Sequence, residues 1–244
     1  IGELNSYPGI SGDGQYACFT DHFMSTIQFW KYDSSSGLWA DIGTASKPRT
    51  TNYYNGLGGG SFNGDGSLLA VACPHQTGGA GYIDIYQRDG ETFTLRESVF
   101  GNYANFGYGC ALSDDGMILV AHSFTSKNLE TFKWENNQWN SIDDVNIGIR
   151  SYGQLDITPD GKRLVVPNMD AKTLTGGHVR VYDWVNGSWS LHSTVNLSRA
   201  GWVRVRGAQI TNGGNTVICG DNGYNNSDHE LEIWDYDGTN WIRR

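Results

Sequence analysis

Aromatic and amide side chains recur in the polar loops of this chain of 244 residues. An aromatic ring can stack on the C–H face of a sugar or anchor a protein partner, and an amide can form hydrogen bonds at the edge of either. These residue types predict ligand contacts on one loop-rich face. The candidates are Tyr53, Tyr54, Tyr103, Tyr108, Tyr152, Trp202, Arg204, Tyr224 and Asn225. The competing interpretation is that the rings only cap the ends of strands.

Oxygen-bearing side chains are densest between residues 221 and 230. Carboxylates and amides on a flexible loop suit calcium, so Asp221, Asp228 and Glu230 are the candidate metal ligands. The stretch has no regular ligand spacing, however, and a solvated loop rich in turns explains it more simply. We therefore expect no cofactor, with calcium at this loop as the alternative.

Three histidines and a group of arginines are weaker candidates. His22, His75 and His122 fall near the ends of second strands in adjacent repeats, where three imidazoles could hold a transition metal. Their unequal spacing argues against such a site.

The local positive charge is concentrated in four arginines, which could bind a carboxylate or a sulfate. They are Arg150, Arg199, Arg204 and Arg206.

The elements that position these residues form a fivefold internal repeat. A turn ending in glycine recurs at intervals of 52, 50, 45 and 53 residues, at Gly14, Gly66, Gly116, Gly161 and Gly214. A bulky aromatic residue near the end of each repeat recurs at similar intervals. These aromatic residues are Trp39, Phe93, Trp139, Trp189 and Trp241. Abundant glycine and few charged residues also favour many short strands with tight turns.

Each repeat is predicted to form four antiparallel strands. In the second repeat, residues 68–72 form a nearly continuous apolar run, which is typical of a strand covered on both faces. A single sheet with two apolar faces needs neighbours on both sides. The sequence therefore predicts an all-β fold, a five-bladed β-propeller of four-stranded antiparallel blades, whose first strands are innermost. A barrel or a sandwich is the alternative, and neither explains the repeat.

The five repeats account for nearly the whole chain, so residues 1–244 are predicted to be a single propeller domain. The approximate blade limits are 1–46, 47–99, 100–146, 147–196 and 197–244. Closure of the ring is expected to depend on packing between blades 1 and 5, without a shared strand.

Residues 176–189, with TPDGKRLVV before them, resemble the propeller repeats of FG-GAP and integrin-type proteins and of lactonase-like and TolB-like propellers. The shared pattern is an S-x-D-G turn, a small apolar strand, a G-x-V-x-V-Y strand and a strand led by tryptophan. It recurs as GYIDIY at 81–86 and GHVRVY at 177–182. The resemblance covers nearly the whole chain and implies the propeller fold. It also implies a secreted or surface protein that binds proteins or glycans.

The charge balance excludes one class of partner. The formal charge of −9 and the pI near 5.0 argue against nucleic acid, because phosphate-backbone binding needs clustered lysine and arginine. No apolar run is long enough to insert into a membrane.

Together these observations predict a non-catalytic binding protein, extracellular or on the cell surface. It would recognise a glycan or a protein through its loop-rich face, alone or as part of a larger assembly. The alternatives are a glycoside hydrolase of a five-bladed propeller type and a purely structural subunit. A glycosidase needs two carboxylates that converge on the axis. Only Asp156 lies in a predicted innermost strand, while Asp21 and Asp221 follow second strands.

Four cysteines lie inside predicted strands without the spacing of a metal site or redox pair. The first interpretation is that they are small buried hydrophobic residues, and a disulfide between some pair is the alternative. They are Cys18, Cys73, Cys110 and Cys219.

Overall fold

The computed structural model describes residues 6–21, 26–46, 58–74, 79–151, 153–168, 177–198, 203–223 and 231–244. These residues form five separate four-stranded sheets, in which each strand pairs antiparallel with the next strand of the chain. The sheets are arranged in a ring as a five-bladed β-propeller, which confirms the predicted fold and excludes the barrel and the sandwich. The described part has no helix of the length and apolarity that a membrane span requires.

The blades follow one another along the chain, and the first strand of each lies at the axis. Blade 1 contains β1 (Ser6–Ile10), β2 (Tyr16–Asp21), β3 (Thr26–Asp33) and β4 (Leu38–Ser46). Blade 2 contains β5 (Gly60–Phe62), β6 (Leu68–Cys73), β7 (Ala80–Asp89) and β8 (Thr92–Ala104). Blade 3 contains β9 (Phe106–Leu112), β10 (Ile118–Ser123), β11 (Asn128–Glu135) and β12 (Gln138–Asn146).

Blade 4 contains β13 (Asp156–Ile157), β14 (Arg163–Pro167), β15 (His178–Val185) and β16 (Ser188–Asn196). Blade 5 contains β17 (Val203–Ile210), β18 (Thr216–Gly223), β19 (Leu231–Tyr236) and β20 (Trp241–Arg243). The approximate limit between blades 2 and 3, near residue 99, falls inside β8.

A shared turn joins the first two strands of the blades. In blade 3 the hydroxyl of Ser113 donates to the carboxylate of Asp115 at 2.6 Å, and that carboxylate accepts the amide of Met117 at 2.9 Å. Gly116 follows with a φ of 69°, a left-handed conformation that favours glycine. The equivalent acids are Asp13, Asp65 and Asp160. The acids that recur in the sequence are therefore used to build the turns.

A polar residue on the third strand fixes the connection that enters each of blades 3, 4 and 5. In blade 3 the carboxylate of Glu130 is buried and accepts the amide of Asn102 at 2.8 Å. In blade 5 the carboxylate of Glu232 accepts the hydroxyl of Ser198 at 2.7 Å. In blade 4 the guanidinium of Arg180 donates to a carbonyl of the preceding connection at 2.6 Å. These bonds compensate the cost of burying the polar groups and fix the order of the blades.

Apolar side chains from facing sheets form four buried clusters between neighbouring blades. Phe29 and Leu69 belong to the cluster between blades 1 and 2, and Ile83 and Leu119 to the cluster between blades 2 and 3. Equivalent clusters join blade 3 to blade 4 and blade 4 to blade 5. Apolar burial of this kind contributes roughly 25 cal/mol per Å². It explains why the second strands are apolar on both faces.

The bulky aromatic residue of the fourth strand contacts the preceding blade. Phe93 of blade 2 stacks on Phe29 of blade 1, with ring centroids 4.2 Å apart and an angle of 7° between the rings. The indole N–H groups of Trp189 and Trp241 donate at 2.8 Å to hydroxyl groups of blades 3 and 4, respectively. In blades 2, 4 and 5 the aromatic residue that marks the repeat therefore joins the blade to the one before it.

Blade 1 differs because, within the described residues, no buried cluster covers its second face. Ile10, Phe19, Trp30 and Trp39 line a groove of about 540 Å³ on this face, and Gln209 of blade 5 also borders it. Phe19 is 42% exposed and Trp39 is 39% exposed. None of the buried clusters in the described residues joins blade 5 to blade 1. Gln209 of β17 and Ile10 of β1 border the same groove, and the described residues place no buried cluster over the outer part of this seam.

All four cysteines are buried, and none of them forms a disulfide. Burial raises the pKa of the Cys18 thiol to about 12, so the thiolate is suppressed at neutral pH. The cysteines therefore act as small core residues, and the disulfide alternative is excluded.

Replacing Phe132 by alanine should lower the free energy of unfolding by about 3–5 kcal/mol, because its ring is buried between blades 2 and 3. Phe19→Ala, the matched change on the open face of blade 1, should cost about 1 kcal/mol or less, because this ring is already partly hydrated. Urea unfolding of both variants, followed by tryptophan fluorescence, measures the difference. Equal losses would mean that the seam is closed in solution.

Candidate active site

A pocket of about 300 Å³ lies on the propeller axis, where the innermost strands of all five blades meet. Each first strand contributes the apolar residue that precedes its turn: Ile10, Phe62, Leu112, Ile157 and Ile210. The positions around these residues vary between blades and supply the polar groups of the pocket. The most relevant are Ser61, Asp114, Gln154, Asp156 and Gln209.

Asp156 begins β13 and occupies the repeat position that is Ser61 in blade 2. Its carboxylate accepts the amide of Ile210 at 2.8 Å, so it is held between blades 4 and 5. Burial raises its pKa to about 7, against the opposing effect of the amides that it accepts, and the charge of Asp114 raises it slightly further. Near neutral pH this carboxyl is therefore present as base and as acid in comparable amounts.

The second acid of the pocket, Asp114, belongs to the turn after β9. It occupies the variable second position of that turn, next to the repeated acid Asp115. Its amide donates to the carbonyl of Pro159 at 3.2 Å, and its carbonyl accepts the amide of Gly64 at 2.9 Å. The turns of blades 2, 3 and 4 are thereby linked around the pocket. Partial burial raises the pKa of Asp114, and the neighbouring Asp115 raises it further.

Uncharged polar groups complete the pocket wall. The amide nitrogen of Gln154 donates to the carbonyl of Cys110 at 2.7 Å, while its buried carbonyl oxygen has no hydrogen-bond partner in the described structure. The hydroxyl of Ser61 accepts the amide of Leu112 at 2.9 Å, which leaves its own hydrogen to donate. The amide of Gln209 is exposed at the wall. Together these groups can orient a small molecule that carries hydroxyl groups.

This arrangement suits acid–base chemistry on a small polar molecule. A carboxyl with a pKa of about 7 can take a proton from water and return it within one reaction at neutral pH. Asp156 is half-buried while Asp114 is exposed, so the two carboxyls can hold different protonation states.

The pocket is built from the turn end of the propeller, opposite the face that the sequence favoured for ligand contacts. Gly12, Asp114, Pro159 and Asn212 line it, and all four belong to turns between first and second strands. Because successive strands alternate in direction, the connections between second and third strands lie at the other end. The carboxyls of the pocket are thus separated from the predicted loop-rich face by the length of a strand.

The predicted ligand contacts that are described do not line this pocket. Tyr103, in β8, donates its hydroxyl to Asp144 at 2.7 Å. Tyr108, in β9, packs its ring 5.2 Å from that of Phe124. Arg204 lies near the start of β17. The other candidates fall outside the described residues: Tyr53, Tyr54, Tyr152, Trp202, Tyr224 and Asn225. Their contact with a ligand stays a prediction.

The histidine hypothesis fails at the one member that is described. His122 is fully buried, with its Nε2 atom 3.3 Å from the carbonyl of Ile149. Burial lowers its pKa to about 4, so the ring is neutral and packed inside blade 3. His22 and His75 lie outside the described residues.

The acidic metal candidates are described only in part. The backbone of Asp221 lies in β18, and Asp228 and Glu230 fall outside the described residues. Within the described ranges, no three histidine, cysteine, aspartate or glutamate side chains are grouped to hold a metal ion. Calcium at the 221–230 loop stays a prediction.

Comparison with known proteins gives a fold relationship. No protein-family model matches the chain, and no curated protein matches it. Hydrazine synthase from Kuenenia stuttgartiensis matches with a TM-score of 0.66 and 12% identity, over 97% of this chain and 64% of that chain.

Two further matches are described as candidate 6-phosphogluconolactonases. The Bacteroides uniformis protein has a TM-score of 0.62 and 14% identity, over 98% of this chain and 69% of that chain. The Bacteroides fragilis protein has a TM-score of 0.61 and 13% identity, over 96% of this chain and 67% of that chain. This chain therefore spans about two thirds of the length of the propellers that it matches.

These matches correct the predicted function class. The solved propellers that share the fold include proteins described as enzymes, so the prediction of a non-catalytic glycan-binding or protein-binding propeller is wrong. The lactonase-like resemblance agrees with these neighbours, whereas the FG-GAP and TolB-like resemblances are not confirmed. At this level of identity the likeness shows the fold alone, and the chemistry has to be argued from the pocket. An extracellular or surface location and membership of a larger assembly stay predictions.

One of the two pocket carboxyls was predictable from the sequence. Asp156 lies in a predicted innermost strand, whereas Asp114 follows one, in the turn that ends at Gly116. The signal for Asp114 lies in the repeat itself, because the second turn position is Gly12 in blade 1 and Gly64 in blade 2. Comparing the variable positions beside each turn would have indicated both acids.

Asp156 should make the protein less stable as the pH rises towards neutrality. Because its pKa is raised in the folded state, the folded protein holds a proton that the unfolded chain releases between about pH 4 and pH 7. The stabilisation is complete below the pKa that Asp156 has in the unfolded chain. It is lost as the pH rises through the pKa that Asp156 has in the folded protein, and it amounts to about 1.4 kcal/mol per unit of pKa shift. Asp156→Asn should flatten this decline in urea unfolding measured between about pH 5 and pH 8.

Asp160→Asn is the matched control for this measurement. The hydroxyl of Thr158 holds the pKa of Asp160 below its ordinary value, so Asp160 titrates at more acidic pH and should leave the slope above pH 5 unchanged. An Asp156→Asn variant with the same slope as the wild type would contradict the environment assigned to Asp156.

Proposed function

We propose that the protein is a hydrolase that opens a lactone, which is a cyclic ester, in the axial pocket. The observation that carries the proposal is Asp156, a carboxyl with a pKa of about 7 that faces a pocket on the axis. A lactone needs no metal or redox group for hydrolysis, only a base for water and an acid for the leaving oxygen. The candidate lactonases among the structural neighbours support the choice of reaction.

In the proposed reaction the ionised carboxylate of Asp156 takes a proton from a water molecule. The water oxygen forms a bond to the carbonyl carbon of the lactone, and the carbonyl oxygen becomes negatively charged. The bond between that carbon and the ring oxygen then breaks as Asp156 returns its proton to the ring oxygen. One water is consumed, and the product is a hydroxy acid. A pKa near neutrality suits both proton transfers.

The negative charge that develops on the carbonyl oxygen needs hydrogen-bond donors in fixed positions. The hydroxyl of Ser61 and the amide of Gln209 line the same pocket and can donate. These two side chains are the proposed binding and stabilising groups.

Glycoside hydrolysis is the second candidate, because the pocket holds two carboxyls. Such enzymes need an acid and a base or nucleophile roughly 5 to 10 Å apart. Asp156, whose pKa is the more strongly raised, would be the acid, and Asp114 would be its partner. Release of nitrophenol from nitrophenyl glycosides would favour this reaction, since a lactonase does not cleave them.

Asp156→Asn should lower kcat/KM for lactone opening by about 100-fold to 10,000-fold, because the amide cannot take a proton from water. In the wild type, kcat/KM should rise with pH and level off above the pKa of about 7, since the ionised form of Asp156 is the base. Acid release in a pH-stat, corrected for spontaneous opening, measures both effects.

Tyr103→Phe is the control for this prediction. It removes a hydroxyl that donates to Asp144 at 2.7 Å, outside the pocket, and should leave kcat/KM within about twofold of the wild type. A fully active Asp156→Asn variant would overturn the proposal.

A further inference from the structure

The charge around the axial pocket is negative. Asp114 and Asp156 line the pocket, and the other described lining residues are uncharged. The turns around it carry further acids at Asp13, Asp65, Asp115 and Asp160, which outnumber the lysine that follows Asp160, Lys162. The chain as a whole has a formal charge of −9. A ligand that enters from the turn end therefore meets a negative potential.

The arginines at this end of the propeller are bound to other groups. Arg163 donates to the two carboxylate oxygens of Asp183 at 2.6 and 3.0 Å, and to the carbonyl of Gly214 at 3.0 Å. Arg88 donates to the carbonyl of Gly66 at 2.9 Å. Neither arginine lines the pocket. Both guanidinium groups therefore serve the packing of neighbouring blades.

Arg150 and Arg204, two of the arginines that the sequence analysis proposed as an anion site, have their backbone at the other end. Arg206 lies in the middle of β17, and Arg199 falls outside the described residues. Arg204 is near the start of β17, five residues before Gln209 of the pocket. At about 3.3 Å per residue this separates the two by roughly 16 Å along the strand. Arg150 is exposed after β12, with its guanidinium carbon 5.3 Å from the centre of the Phe124 ring. Neither backbone position is near the carboxyls.

A phosphate group in this pocket would be destabilised. Proteins bind phosphate with arginine or lysine side chains, or with the backbone amides at a helix N-terminus. The described lining has no lysine, arginine or histidine, and the described residues form no helix. A dianion would lose its hydration and would also lie beside two carboxyls, which repel it at short range.

We infer that the substrate of the proposed lactonase is an uncharged, hydroxyl-bearing lactone, and that phosphorylated lactones are excluded. The inference rests on the proposed function and adds the substrate class. A volume of about 300 Å³ suits a molecule of the size of one sugar ring. The amides of Gln154 and Gln209 and the hydroxyl of Ser61 can bond to uncharged hydroxyl groups. The neighbours described as candidate 6-phosphogluconolactonases would differ from this chain in that respect.

The test compares the opening of glucono-1,5-lactone and of 6-phosphoglucono-1,5-lactone by the purified protein. The uncharged lactone should have a kcat/KM at least about 100-fold higher, the size of effect expected from one unpaired charge in a desolvated site. Raising the ionic strength from about 0.01 M to about 0.3 M should increase kcat/KM for the phosphorylated lactone more than for the uncharged one, because salt screens the repulsion.

Asp114→Asn should lower the ratio of kcat/KM for the uncharged lactone to kcat/KM for the phosphorylated lactone by about tenfold, because it removes one repelling charge. Asp89→Asn removes the same charge from an exposed hairpin turn and leaves an Asn-Gly sequence that suits the turn, so it should keep the wild-type ratio. Equal or faster opening of the phosphorylated lactone would overturn the inference and leave the lactonase proposal standing. Opening of neither lactone by folded protein would overturn the lactonase proposal, and the inference with it.

Discussion

Every blade of this propeller has two apolar faces, and covering them is the constraint on which the rest of the structure depends. The second strands are apolar nearly throughout because they are buried between two sheets, as in Leu68–Cys73 of blade 2. One sheet cannot satisfy this requirement alone, and five sheets in sequence satisfy it at four interfaces. The exception is the second face of blade 1, where the described residues place no buried cluster over Trp39. The repeated positions thus specify contacts between consecutive blades, but they do not specify the contact between blades 5 and 1 that closes the ring.

The same packing creates the chemistry of the axis. First strands converge there, and their side chains leave a small space that the innermost strands of all five blades border. A carboxyl placed in that space loses part of its hydration, which is why the pKa of Asp156 rises to about 7. The amide of Ile210 keeps the carboxyl in place and limits the rise. The enclosure that stabilises the ring therefore also adjusts an acid to neutral pH.

The fold was predictable because the repeated positions each have a physical task. Glycine at the end of each shared turn has a positive φ, and the aromatic residue of the fourth strand reaches the preceding blade in blades 2, 4 and 5. The site was predictable only in part, because its residues occupy positions that vary between repeats. Asp156 could be placed on an innermost strand, but its distance to Asp114 depends on how the turns of blades 3 and 4 hydrogen-bond to each other. The open face of blade 1 was not predictable, because Trp39 and Trp189 look alike in the sequence.

The described side chains of the loop-rich face and those of the axial pocket differ in their partners. Aromatic and amide residues in loops predict ligand contacts on the loop-rich face, because binding sites are often built on loops, and those contacts stay a prediction. In the described structure the loop-end residues that can be examined have structural partners, as Tyr103 has in Asp144 and Tyr108 in Phe124. Asp156, the half-buried acid at the axis, accepts hydrogen bonds from backbone amides, which lower its pKa and so oppose the effect of burial. Its ionised form at neutral pH makes the folded protein less stable. A residue that reduces stability while facing a polar pocket is better explained by chemistry than by packing.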